Sequence, residues 1–325
     1  MSDQSTWLIT GGAGYIGAHV ADKFLESGLR VVIYDSLHNG LATRVDYLSR
    51  KYGSKVQFIQ ADIRDTQRFT ECIGEFKPVG IVHSAALKSV EESLEKPSDY
   101  FEVNFEATRE ILKIIASSKV KNFVFSSTAA IYGSPEHNKP IREDEPKNPI
   151  SPYGESKLLA EKEVEKFSIE HGINEVSLRF FNVVGTAAPE LMDNSSNNLV
   201  PIVLGKLRHG ISPEVFGIDY PTPDGSCIRD YVDVRDIANA HFKVSQSQSL
   251  FPCAFNIGTG RGVSVIEMIQ MISSLFPDEK QSVIFKERRP GDPAILFADV
   301  SQIEVSTGFV AKFELLESLR AVVNS

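Results

Sequence analysis

An α/β fold built on a doubly wound parallel sheet is predicted by three features of the sequence. Short β-branched runs alternate with helical patterns through the first half of the chain. A glycine-rich turn stands between the first such run and the first helix. An acidic residue closes the second run at Asp35 and the third at Asp62. Strands that alternate with helices pack as a parallel sheet with helices on both faces.

The elements follow in order. Thr6–Thr10 (TWLIT) reads as the first strand, and GGAGYIGAHVADKFLESG as a turn and a helix. Further strands are expected at Arg30–Asp35, Val56–Asp62, Val79–Ala86 and Asn122–Thr128, and a sixth, unbroken, from Glu175 to Gly185. After Gly185 the pattern breaks. Residues 186–229 are rich in Pro, Gly, Asn and Asp and read as loops around one helix. YVDVRDIANAHFKVSQ returns to the sheet with a helix from Val234, and FNIGTG is another short strand and turn. From Ser264 two helical segments flank SVIFKERRPGD. The expected division is a dinucleotide-binding domain, residues 1–185 plus 230–260, and a smaller, discontinuous C-terminal domain, residues 186–229 plus 261–325.

Composition narrows the function classes. The chain is 42% hydrophobic and 24% charged, ordinary for a soluble globular protein. A net charge of −9 argues against general nucleic-acid binding, which calls for a basic face. Cys72, Cys227 and Cys253 show no metal-ligand spacing and read as buried thiols in a reducing compartment. No apolar run reaches the ~18 residues of a membrane span, and no secretory leader pattern opens the chain. A cytoplasmic protein with no bound metal is expected.

The glycine turn carries the first chemistry. Gly11, Gly14 and Gly17 lie between a strand and a helix, the context in which such a turn brings backbone close to a diphosphate and points a helix N-terminus at it. Asp35 ends the second strand 18 residues beyond Gly17, where a carboxylate accepts from the adenosine ribose and repels a 2′-phosphate. The sheet is therefore read as Rossmann-like and the cofactor as NAD rather than NADP. Asp62 and Ile63 would flank the adenine. The plain alternative, a strand-to-helix turn with a solvated aspartate, does not account for glycines, strand and acid in one register.

The second chemistry lies in SPYGESKLLAEK, where Tyr153 precedes Lys157 by four residues at a helix start. A phenol with a pKa near ~10 serves as a proton acceptor only if positive charge stabilises its anion. Lys157, one turn away on the same face, is expected to supply such charge, and is long enough to reach a nicotinamide ribose. An isolated Y-x-x-x-K is more often an ordinary exposed pair. Here it follows a dinucleotide-binding pattern and FSSTAAIYG, which puts Thr128 at the C-terminal end of the fifth strand, the rim where ligands bind. The Thr128 hydroxyl could bridge substrate and phenol. Ser126 and Ser127 read as strand residues, one of them facing the cofactor.

TGGAGYIG, HSAALKSVEES, FSSTAAIYG, SPYGESK, RFFNVVG, NNLVP, VFGIDYPTPDGSCIRDY and RRPGDPA together resemble the extended short-chain dehydrogenase/reductase family, and within it the UDP-hexose 4-epimerases. The resemblance runs in order along nearly the whole chain. It implies NAD-dependent 4-epimerisation of UDP-glucose and UDP-galactose through a 4-keto sugar. It implies Tyr153, Lys157 and Thr128 as catalytic residues. Around the glycine turn it adds Tyr15, Ile16 and Asn39 as cofactor contacts. Ala85, Lys88, Asn104, Ser126 and Phe180 complete that set. For the UDP-sugar it implies Lys88, Asn182, Asn198, Leu199 and Phe216, with Arg229 and Arg289 on the diphosphate and Asp292 on the uridine ribose. A homodimer through helices near 102–118 and 151–170 is implied as well.

Two positions depart from the family pattern: Phe180 where a tyrosine is common, and Leu296 where some members carry a tyrosine beside the sugar. The second bears on the width of the pocket and leaves the N-acetylated UDP-sugars as an alternative substrate pair. Dehydration is disfavoured because Ala129 and Ala130, which follow Thr128, cannot move protons. Decarboxylation of a UDP-uronic acid lacks an identifiable cationic clamp. A non-catalytic NAD-binding scaffold would not need Tyr153, Lys157 and Thr128 together.

Overall fold

The computed structural model describes residues 5–135, 137–247, 253–276, 282–289 and 292–325. In chain order the elements are β1 (Thr6–Thr10), α1 (Tyr15–Glu26), β2 (Arg30–Asp35), α2 (Ala42–Tyr52), β3 (Val56–Gln60), α3 (Thr66–Phe76) and β4 (Gly80–His83). Next come α4 (Val90–Glu95), α5 (Pro97–Tyr100), a π-helical turn (Phe101–Glu106) running into α6 (Ala107–Ile115), β5 (Asn122–Thr128), α7 (Pro152–His171) and β6 (Asn174–Phe180). The remainder is β7 (Asn182–Val184), α8 (Leu199–Arg208), β8 (Glu214–Phe216), β9 (Ile228–Asp233), α9 (Val234–Ser245), β10 (Cys253–Ile257), β11 (Gly262–Ser264), α10 (Val265–Ser274), β12 (Ile284–Lys286), β13 (Ile295–Leu296), α11 (Ser301–Thr307) and α12 (Leu315–Val323).

Seven parallel strands form the main sheet in the order β3-β2-β1-β4-β5-β6-β10. The strand order reverses beside β1, which sits between β2 and β4 and opens a crevice at the carboxyl ends. Alternation along β1 sends Trp7 and Ile9 into one core with Phe24 of α1 and Ile237 of α9. Leu8 enters the opposite core with Phe69 of α3, Ile111 of α6 and Val164 of α7. Both faces are covered, so the strands read as continuous apolar runs.

A second, four-stranded sheet joins β11, β9 and β13, with β7 also on β9. Its apolar side packs on α8, α10 and α12 through Val203, Leu207, Met268, Ile272 and Leu319. Helix α9 returns to pack on α1, whereas β9, just before it, belongs to this small sheet. Ile303 of α11 and Phe309 join the Trp7 core of the large sheet.

Several boundaries differ from the sequence reading. β3 ends at Gln60 and β4 spans only Gly80–His83, leaving Asp62 and Ala85 in loops. The run from Glu175 to Gly185 is two strands. The Phe181 N–H donates to the Ile257 carbonyl at 3.1 Å, closing the β6–β10 pairing, and Asn182–Val184 then pairs with β9 in the other sheet. The run has no Gly or Pro before Gly185, and Asn182 alone, at the point of the change, does not signal which strand it pairs with. Residues 186–229 hold a short strand, β8, besides the expected helix, and after β12 there are two helices where one was expected. Cys72 and Cys227 are buried free thiols. The side chain of Cys253, and Pro290 and Gly291 of RRPGDPA, lie outside the described residues. Among the described residues no helix is long and apolar enough to cross a membrane.

Candidate active site

A cavity of about 670 Å³ opens at the carboxyl ends of the main sheet, against the small one. Its wall brings together Tyr15 and Ile16 of α1, Lys88, Thr128, Tyr153, Phe180 and Asn182 with Asn198, Leu199, Phe216, Arg229, Arg289, Asp292 and Leu296. Gly11, Gly14, Gly17, Asp35, Asn39, Asp62, Ile63, Ala85, Asn104, Ser126 and Lys157 are not on that wall.

The glycine turn shows why glycine is needed. Gly11 has φ +67°, and a Cβ there would lie 2.7 Å from the Ala85 backbone nitrogen. A Cβ on Gly17 would lie 2.2 Å from the Gly11 carbonyl oxygen. Gly14 caps α1 with no side-chain cap, and the first turn carries no acid, so its N–H groups remain available to an anion. Asp35 stands at the end of β2, its carboxylate accepting from the N–H groups of Ala13 (3.0 Å) and Leu37 (2.8 Å). The N–H donors suit a dinucleotide diphosphate, and the Asp35 carboxylate is an acceptor suited to ribose hydroxyls. Asn39 is exposed, the Asp62 carboxylate is engaged by Arg64, and Ile63 is buried in the core around Leu8.

Asn104 is buried in the π-helical turn. Its side chain accepts from the Leu87 N–H (2.8 Å) and donates to the Leu87 carbonyl (2.9 Å) and to Ser156 (3.1 Å). It clasps the loop that carries Lys88. Lys88 is exposed to the cavity solvent, yet the surrounding walls lower its pKa by desolvation. Ser126 is bonded to Ser84 (2.7 Å) and His241 (3.0 Å) on the β5 face towards α9.

Helix α7 sets the tyrosine and lysine. Ser151 caps it by accepting from the Gly154 N–H at 3.1 Å, and Pro152 fills the first position, where its missing N–H is not needed. Tyr153 thus lies in the first turn and Lys157 in the next. Burial raises the Tyr153 pKa, and the neighbouring Thr128 hydroxyl offsets part of the rise. Lys157 is buried, its ammonium 4.0 Å from the Phe125 ring centroid. Burial lowers its pKa to about 7, with Glu161 acting in the opposite direction. In the protein alone, desolvation outweighs the expected help from lysine to phenol.

Glu161 is a residue the sequence reading passed over. Its carboxylate accepts from the Ser127 hydroxyl (2.5 Å) and pairs with Arg179 (2.5 Å), both buried. Arg179 in turn donates to the Tyr132 hydroxyl at 2.8 Å. The signal was present: Tyr153, Lys157 and Glu161 recur every four residues, one face of a single helix. Val90 and Leu94, exposed apolar residues at the cavity wall, carried no signal, because exposure is not local information.

The opposite wall carries two arginines, Arg229 and Arg289. Asn198 caps α8, but its side chain donates to Asp193 at 2.6 Å instead of capping. The first turn of α8 carries no acidic residue. The Arg289 guanidinium lies 4.1 Å from the centroid of the Phe216 ring and 3.6 Å from Glu91, and Arg229 pairs with Asp292 at 3.4 Å. Leu296 of β13 is 9% exposed and packs with Ala129, Leu158 and Phe181.

The chain is similar to known proteins along nearly its whole length. The chain is 38% identical to the UDP-glucose 4-epimerase of Halalkalibacterium halodurans over 323 residues, 96% of this chain and 92% of that one. The crystal structure of the Bifidobacterium longum UDP-glucose 4-epimerase in complex with NAD+ and UDP superposes with a TM-score of 0.92 at 32% identity, covering 98% and 97% of the two chains. The UDP-Glc/GlcNAc 4-epimerase of Campylobacter jejuni superposes at 0.84 and 32% identity, covering 98% of each. Residues 7–258 match the family described as NAD dependent epimerase/dehydratase, and the chain belongs to that family.

Proposed function

We propose that the protein catalyses NAD-dependent 4-epimerisation of UDP-glucose and UDP-galactose through a 4-keto intermediate. The observation that carries this reading is one cavity whose wall holds Thr128 and Tyr153 together with Tyr15 and Ile16, which follow the glycine turn at the start of α1, and Arg229 and Arg289 of the small-sheet side. NAD held along the Gly11–Gly17 turn and Asp35 would supply reversible hydride acceptance at C4 of the hexose. Tyr153 takes the O4 proton and gives it back, and Thr128 orients the hydroxyl against the phenol. Lys157 in its ammonium form, one turn along α7, favours the phenolate. Arg229, Arg289 and the first turn of α8 hold the diphosphate by charge-assisted hydrogen bonds, so the sugar turns about a fixed anchor. On the cofactor side, Asp35 holds the adenosine ribose and the Gly11–Gly17 turn the cofactor diphosphate.

Ala129 and Ala130, buried or nearly so in the turn after Thr128, offer no acid or base for dehydration. Conversion of UDP-galactose to UDP-glucose by the purified protein, with no net change in NADH, is the expected result. Absence of conversion refutes the proposal. Leu296 favours a second reading, activity on the N-acetylated pair, because leucine occupies less of the pocket than a ring; UDP-N-acetylgalactosamine assayed alongside decides it. We also propose a homodimer through the helices of residues 102–118 and 151–170, testable by light scattering. A cytoplasmic location is supported by the free thiols Cys72 and Cys227.

A further inference from the structure

Arg44 of α2 is buried to 1% exposure and lies outside every motif of the sequence reading. Its Nη1 donates to the carbonyl of Ala13, inside the glycine turn, at 3.1 Å. Its Nη2 donates to the carbonyl of Met192 (2.7 Å) and to the side chain of Asn194 (3.2 Å). Between those two acceptors stands Asp193, whose carboxylate takes the Ser195 N–H (3.0 Å) and the Asn198 amide (2.6 Å). Asn198 opens α8 on the far wall of the cavity. One guanidinium therefore bonds both to the turn built for the cofactor diphosphate and to the loop that leads into the helix facing the substrate.

Burial opposes the guanidinium charge, and the carboxylates of Asp193 and Asp35 favour it; Asp193 likewise favours the charge of Lys88. Among the described residues the Nε of Arg44 has no partner, so its bonding falls on the two terminal nitrogens that reach the two loops. A planar fork with donors in fixed directions suits this task, and removal of the side chain would leave both loops short of a donor. Two further contacts tie α1 to the same downstream segment. The Tyr15 hydroxyl donates to the Gly185 carbonyl at 2.6 Å, and the His19 ring accepts from the Ala187 N–H at 3.0 Å. These reach residues 185–187, well before Asn198. Arg44 alone, among the described residues, bonds to both Ala13 and the 192–194 loop.

We infer that Arg44 is a positioning residue that couples occupancy of the NAD site to occupancy of the UDP-sugar site. This rests on the function proposed above. A ligand that orders one loop orders the other through the shared guanidinium, so each ligand tightens the other. By linkage the two effects are equal in size.

The test is equilibrium binding of NAD to the cofactor-free chain, with and without saturating UDP, by titration calorimetry. In the wild type, UDP is expected to tighten NAD by a factor within the ~5- to 150-fold range of coupled sites. In Arg44→Met the factor is expected to fall to within about twofold of unity, whatever happens to either affinity alone. A role confined to stability would weaken binding or lower the melting temperature but leave the ratio intact. Asp193→Ala, in a partly exposed loop, breaks the link to Asn198 without touching the Ala13 bond, and is expected to lower the factor as well. It decides the matter if Arg44→Met does not fold. A wild-type factor of one, or variants that keep the wild-type factor, overturns the inference. Failure of the proposed activity is read separately, from the UDP-galactose assay on the wild type.

Discussion

Replacing Lys157 by methionine keeps the apolar stem and removes the amine. The residue is 3% exposed, and burial lowers the amine pKa from 10.5 to about 7. Between those two values the unfolded chain binds more protons than the folded one, so the lysine's contribution to stability rises with pH across the window. Well below pH 7 both states hold the proton, and the cost of burying the ammonium is complete. Linkage arithmetic gives a destabilisation of about 4 kcal/mol at pH 7 and about 1 kcal/mol at pH 9.5. Lys157→Met escapes that cost. Its unfolding free energy is therefore expected to exceed the wild-type value at pH 7, and the advantage to shrink by about 3 kcal/mol by pH 9.5. The assay is urea unfolding of both cofactor-free proteins at the two pH values, followed by circular dichroism. A difference between the proteins that does not change with pH would refute the reasoning, because it would mean that the folded amine stays hydrated or paired. The same variant is expected to lose epimerase activity and to show its remaining activity at higher pH, because the ammonium no longer favours the phenolate. A stabilised, inactive protein would mark Lys157 as strain retained for chemistry.

Tyr153→Phe is expected to lower turnover by ~10²–10⁴-fold while NAD content and melting temperature stay at wild-type values; near-normal turnover removes the phenol from the mechanism. Gly17→Ala places a Cβ 2.2 Å from the Gly11 oxygen, so purified protein is expected to carry little NAD, measured by extraction and absorbance. Full occupancy would mean that the turn can relax. Leu296→Tyr overpacks a nearly filled site at about 1–3 kcal/mol, and so is expected to cut any activity on UDP-N-acetylglucosamine by about five- to a hundredfold or more, leaving UDP-glucose nearly untouched. Equal losses on both substrates would show that Leu296 does not set the pocket width.

The sequence by itself determined the alternating α/β fold, the glycine turn, Asp35 and the helical register of Tyr153 and Lys157. Each of these is local. Glycine at a positive φ, a serine–proline helix start and a four-residue repeat are written in neighbouring residues. Only the tertiary structure decided which distant segments share a wall. Phe180 ends a strand of the large sheet and Asn182 begins one of the small sheet, a change set by where β9 and β10 stand, not by the apolar run itself. No motif in the sequence marks Arg44, because its partner Met192 lies nearly 150 positions away and meets it only in the folded chain. The charge state of Lys157 belongs to the same class, because it depends on the Phe125 ring and the depth of burial around it. Sequence spacing places groups along one element, but desolvation and cross-chain hydrogen bonds depend on what the rest of the chain packs against them.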